Sequence, residues 1–252
     1  MKARFWSITL LGLVLASFCS AETIRVAAAA NLTFVLPRLD TAFRLGHPGT
    51  GVTTTFGSSG NLVSQIRQGA PYDVFLSADM AFPRKLIASG DADAGSLKPF
   101  VYGKLVLWTV NPAVPLSSVA EVVRNSKVVK LVIANPRTAP YGYAAQEAIA
   151  RLGLMEVAVP KIVVAENIAQ AAQFVSSGNA DAGFVALALV LAPNVKDRGR
   201  YIEVPQDLYT PIAQGAVLTS RGAHKEAARA YLKFLFSAEA RMTFRRFGYG
   251  LP

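Results

Sequence analysis

Short apolar runs bounded by turn residues alternate along this chain with stretches of helical periodicity, and that alternation limits the fold more than any other feature. Runs of this length are too short to span a membrane as helices, and their alternation with helical stretches predicts an α/β protein with mostly parallel sheets flanked by helices. Strands are expected over 24–30, 52–56, 73–79, 105–110, 131–134, 162–165, 183–186 and 211–219. A helix should run from Asn31 towards Leu45, bending or starting late at Pro37, whose ring cannot sit inside a helix. Leu62, Val63 and Ile66 form an apolar stripe that Gly69 should end. Further helices are expected over 143–152, closed by Gly153, and over 168–177, where Ile168, Ala171, Ala172 and Val175 recur at helical spacing. Tyr231, Leu235, Phe244 and Phe247 belong to closing helices and read as core.

The first 21 residues look like an address rather than a fold. Lys2 and Arg4 form a basic start, an apolar stretch of about 15 residues follows from Phe5 to Cys19, and Cys19, Ser20 and Ala21 are small. This is the layout of a secretory signal peptide cleaved after Ala21, and it is short of the ~20 residues a membrane-spanning helix needs. An uncleaved anchor is the alternative; a lipid on Cys19 is disfavoured by the bulky Phe18 before it. The only cysteine is Cys19, so a mature chain can form neither a disulfide nor a thiolate metal site. Removing Lys2 and Arg4 leaves 24 basic against 16 acidic residues, a net +8. Such a field attracts anions, although composition alone would equally suit nucleic acid or a membrane surface.

Four strand ends are followed by small or polar residues that open a helix: Ala30-Asn31, Gly57 to Asn61, Pro140-Tyr141-Gly142, and Glu166-Asn167-Ile168. A helix start leaves its first amides unpaired and carries a partial positive charge, so several converging starts can hold an anion without a charged side chain. Asn31 and Ser59 can add side-chain donors. Any one of these residues is more often an ordinary helix cap; the set of four is what points to a site.

Other chemistry has little support. No phosphate loop with its lysine is present, no serine sits in a nucleophile elbow, and the only histidines are His47, in a turn, and His224, beside Lys225. Asp73 and Asp79 bracket one strand and read as caps or salt-bridge partners rather than as a catalytic pair. Arg241, Arg245 and Arg246 read as a solvated helix face, without the aromatic interleaving of a nucleic-acid site.

The segments Ala27–Leu32, Phe56–Leu62, Gly69–Asp79, Asn135–Gly142 and Ala165–Ile168 together resemble the periplasmic molybdate-binding proteins of ABC transporters, a type II solute-binding family. The resemblance covers nearly the whole mature chain, and Arg246-Phe-Gly-Tyr249 resembles the aromatic-glycine ending of that family. It implies a two-lobed periplasmic-binding-protein fold with 22–102 plus 206–252 in one lobe and 103–205 in the other, and the ligand in the cleft between them. It also implies an exported, non-enzymatic protein, acting as a monomer, that captures molybdate, and with it tungstate, for a permease in the inner membrane. No cofactor, metal-cation ligand or nucleic acid is expected; sulfate, thiosulfate or ferric ion is the rival cargo. Matched motif by motif, the oxyanion would be held by Asn31, Ser59, Tyr141 and Ile168, the last through its backbone only. Some members carry a tyrosine where this chain has Ala186, and the hydroxyl of Tyr141 is a possible replacement donor.

Overall fold

The computed structural model describes residues 22–252; the segment read as a signal peptide lies outside the described residues. Two five-stranded sheets form the framework. In the first, β1 (Glu22–Ala29) pairs in parallel with β2 (Thr50–Gly57) and β3 (Val74–Leu76), and β10 (Ile212–Leu218) runs antiparallel between β3 and β4 (Lys98–Gly103), giving the order β2-β1-β3-β10-β4. In the second, β6 (Leu131–Ala134) pairs in parallel with β7 (Ile162–Ala165) and β8 (Ala182–Ala186), while β5 (Leu105–Thr109) runs antiparallel between β8 and β9 (Arg200–Glu203). The expectation of mostly parallel sheets is therefore corrected: each sheet has two parallel and two antiparallel pairings. The reason lies in the connections. Only Lys104 separates β4 from β5, so the chain passes from one sheet to the other along a nearly continuous extended segment and later returns from β9 to β10.

Most elements follow local chemistry. The three residues of β3 and the five of β5 are all buried, as suits strands covered on both faces. The helix Ser59–Arg67 buries Leu62, Val63 and Ile66, and the chain then turns at Gly69, where φ is +88°. Two helix starts differ from expectation. Asn31 opens only a 3-10 turn, Ala30–Leu32, and the α-helix begins at Leu36 with Pro37 in its first turn, where a missing N–H costs nothing. The helix expected from residue 143 begins at Pro140 for the same reason, which moves Tyr141 into its first turn.

The expected strand over 73–79 shrinks to three residues because its polar ends have other partners. Asp73, fully buried, accepts from the Arg25 amide at 2.9 Å and lies 3.0 Å from both Arg221 Nε and Lys225 Nζ. Asp79 accepts from the Phe82 amide at 2.9 Å, in the first turn of the helix Ala81–Ala88, and burial pushes its carboxyl above its ordinary value. Phe43, Tyr231 and Phe244 anchor the core beside the first sheet; Trp108 and Phe184 anchor that of the second. Among the described residues no helix is long and apolar enough to cross a membrane.

Candidate functional site

The parallel strands of both sheets deliver their carboxyl ends to one small pocket. β1 ends at the turn carrying Asn31, β2 at the helix start carrying Ser59, β6 leads to the helix Pro140–Arg151 carrying Tyr141, and β7 to the helix Ile168–Ser176. Asn31, Ser59, Tyr141 and Ile168 all line this pocket, each no more than 4% exposed. Outside the ends of parallel strands is where α/β proteins commonly place ligands. The pocket is small: even counted out to its open mouth it has only about 190 Å³ of empty space, too little for an extended ligand.

Backbone donors dominate the wall. Among the described residues, the amide N–H groups of Asn31, Ser59, Tyr141 and Ile168 have no hydrogen-bond acceptor, as expected of residues in the first turn of a helix. Asn167 caps its own helix by accepting from the amides of Ala169 and Gln170, both at 3.0 Å, which leaves Ile168 N–H free. Buried amides without partners are rare in folded proteins, and four at one pocket indicate an acceptor that comes from outside the chain.

The side chains divide differently from the sequence expectation. Ser59 Oγ accepts from the Ala78 amide at 3.0 Å, and its own proton is free to be donated. Asn31 turns its Nδ2 away, donating to Gln214 Oε1 at 2.9 Å and to the Tyr249 hydroxyl at 3.0 Å. The Tyr141 hydroxyl accepts from Gln214 Nε2 at 3.1 Å; burial holds it protonated, well above the usual tyrosine range. Three buried side-chain polar atoms have no partner among the described residues: Asn31 Oδ1, Ser58 Oγ and Thr138 Oγ1. Asn31 and Ser58 line the pocket and Thr138 precedes Ala139, which also lines it.

Sequence reading missed Ser58, Gln214 and Tyr249 as residues of this site. Ser58 and Ser59 are adjacent, and nothing local says which hydroxyl is left unpaired. Gln214 had a signal: it is the only polar side chain in the strand Ile212–Leu218 and is fully buried. A β-bulge between Gln214 and Gly215 locally shifts the register, a device that re-aims a side chain.

The two halves meet across the pocket at close range. Gly60 N–H donates to Thr138 O at 2.9 Å, and a Cβ at position 60 would stand 3.0 Å from Thr138 Cα. Asn61 Nδ2 donates to Glu166 Oε1 at 3.3 Å on the rim. No residue lining the pocket carries a formal charge. No cluster of three or more His, Cys, Asp or Glu suited to a metal ion occurs among the described residues.

Comparison with known proteins agrees with this architecture. The molybdate-binding protein ModA of Azotobacter vinelandii is 41% identical over 94% of this chain and 94% of its own. That of Rhodobacter capsulatus is 43% identical over 96% and 94%. The solved structure of the Azotobacter vinelandii periplasmic molybdate-binding protein superposes with a TM-score of 0.85 at 36% identity, covering 91% of this chain and 99% of that one. The profile of bacterial extracellular solute-binding proteins matches residues 24–250, and with relatives this similar over nearly their full length the chain belongs to that family.

Proposed function

We propose that this protein captures molybdate outside the cytoplasm and hands it to the permease of an ABC transporter, binding tungstate in the same way and making or breaking no bond. The observation that carries the reading is the concentration of unpaired donors at one pocket without charge: four free amides, with the Ser58 and Ser59 hydroxyls beside them. An oxyanion has lone pairs for all of them, and hydrogen bonds to a charged group are the stronger kind. The names of the relatives above supply molybdate as the member of that chemical class.

In this reading Asn31 and Ser59 grip the anion from one side, with Ser58 added, while Tyr141 and Ile168 grip it from the other through their backbone N–H groups. The Tyr141 hydroxyl, bonded to Gln214, is not assigned to the ligand. The two sheets are the cores of two lobes, 22–102 plus 206–252 and 103–205, which close because the bound anion contacts both. Cleavage after Ala21 releases a monomer into the periplasm. Calorimetric titration of the mature protein with molybdate, tungstate, sulfate and phosphate tests the proposal. Tight binding of the first two and weak or no binding of the others is expected; preference for sulfate would replace molybdate by a smaller oxyanion.

A further inference from the structure

We infer that Gln214 and Tyr141 form a reversible hydrogen-bond relay that sets whether Asn31 offers the pocket a donor or an acceptor. The inference rests on the oxyanion reading above and adds two positioning residues to it. The relay is a chain of three buried side chains: Asn31 Nδ2 donates to Gln214 Oε1 at 2.9 Å, and Gln214 Nε2 donates to the Tyr141 hydroxyl at 3.1 Å. It joins the two halves of the molecule, because Gln214 lies on β10 of the first sheet and Tyr141 on the helix after β6 of the second.

Run in this direction, the chain ends badly at both termini. Asn31 Oδ1 has no donor, and the proton of the Tyr141 hydroxyl has no acceptor among the described residues. Both groups are buried, with Asn31 and Tyr141 each 1% exposed, so each loose end carries a desolvation cost. Half-turns of the two amides remove both faults, since an amide presents nearly the same shape either way round. The chain then reads Tyr141 hydroxyl to Gln214 Oε1, Gln214 Nε2 to Asn31 Oδ1, and Asn31 Nδ2 to the anion.

Tyr249 explains why the reversed direction belongs to the loaded state. Its hydroxyl lies 2.9 Å from the Asn31 backbone oxygen and 3.0 Å from the Asn31 amide group. In the present direction it donates to the first and accepts from the second. After reversal one proton faces two oxygens, and Asn31 Nδ2 is left in the pocket needing an acceptor. An anion supplies that acceptor. The surroundings hold the relay tightly, because a Cβ at Gly103 would stand 2.7 Å from Gln214 Nε2 and still closer to the Tyr141 hydroxyl.

The relay also bears on selectivity. With Oδ1 turned in, the pocket can accept the proton of hydrogen phosphate; reversed, its wall holds donors only and favours a fully ionised oxyanion. Calorimetry with sodium molybdate and with phosphate, on the parent, Gln214→Met, Tyr141→Phe and the double variant, tests this. Side-chain amide NMR of the parent is run alongside. Gln214→Met should weaken molybdate binding about tenfold and Tyr141→Phe by a few fold, with the double variant no worse than Gln214→Met alone. Molybdate should shift the amide signals of both Asn31 and Gln214, and Tyr141→Phe should narrow the preference for molybdate over phosphate. Additive losses, or Gln214→Met binding like the parent, would overturn the relay while leaving the oxyanion site intact. If Gln214→Met fails to fold, Tyr141→Phe decides alone: unchanged selectivity and an unshifted Gln214 amide sink the relay. A folded parent that binds no oxyanion sinks the proposed function and the relay with it.

Discussion

The buried carboxylate of Asp73 and the pocket proposed to hold an exchangeable anion are lined in opposite ways. Asp73, fully buried, is a permanent resident held by Arg221 and Lys225, both at 3.0 Å, and by a backbone amide. The pocket of Asn31 and Ser59 is lined by no charged side chain at all. A fixed carboxylate can be matched with fixed cations because neither ever leaves. A site whose anion must depart cannot use them freely, since every departure would strand a buried cation at a cost of several kcal/mol per ion. Neutral dipoles avoid this, because an emptied amide or hydroxyl strands no net charge. In the proposed reading, what separates the two places is whether the charge is exchanged.

The most disruptive way to break the contrast is to give the pocket a resident charge. Asn31→Asp should weaken molybdate binding by at least about 100-fold, because two like charges share a buried site; calorimetry reads the loss and thermal unfolding checks the fold. Taking the charge from the other place should do the reverse. Asp73→Asn is expected to lower stability by about 2–3 kcal/mol in urea unfolding while leaving affinity within about twofold. A loss of affinity there would mean that the first sheet transmits strain to the pocket.

Smaller changes sharpen the picture. Ser58→Ala should reduce affinity about tenfold with little change in stability, since its hydroxyl has no partner among the described residues. Ser59→Ala should reduce both, because Ser59 Oγ also accepts from the Ala78 amide. Equal stability losses in the two variants would mean that Ser58 serves the fold. At the bottom of the scale, any single lysine or arginine changed to alanine should alter affinity by less than about threefold and act mainly on association rate and its salt dependence. Stopped-flow binding at two ionic strengths separates these, and one charge whose removal abolishes binding would refute the neutral-donor site.

The same contrast marks how far the sequence could be read. Turn and helix-start residues after strands are visible in local chemistry, and the family resemblance picked Asn31, Ser59, Tyr141 and Ile168 from among them; the structure brings all four to one pocket, although the helices begin at Leu36 and Pro140 rather than where periodicity placed them. Glycines with positive φ ended helices where expected, at Gly69 and Gly153. What stayed hidden was long-range. Asn31 and Gln214 lie 183 residues apart, and only the placement of β10 makes them neighbours. Their pairing leaves no periodicity behind. The strands β4 and β9 escaped for another reason: they are short edge strands that open on exposed residues, Lys98-Pro99 and Arg200-Tyr201, so their few apolar residues make no clear run. The parallel bias of the expected sheets failed because pairing direction depends on where the chain crosses between sheets, and a crossing needs no special residues.

The position of β10 has a consequence for the order of assembly. The second sheet is built from one continuous segment, from Leu105 to Glu203, and can complete itself as soon as that segment exists. The first cannot: its β10 comes near the end of the chain and must slot between β3 and β4. Until then β4 has no neighbouring strand in its sheet, and Asp73 lacks both Arg221 and Lys225. Pairing between such distant residues is slow, because closing the loop costs entropy before any contact is gained. The half of the molecule synthesised first is thus the half that finishes last.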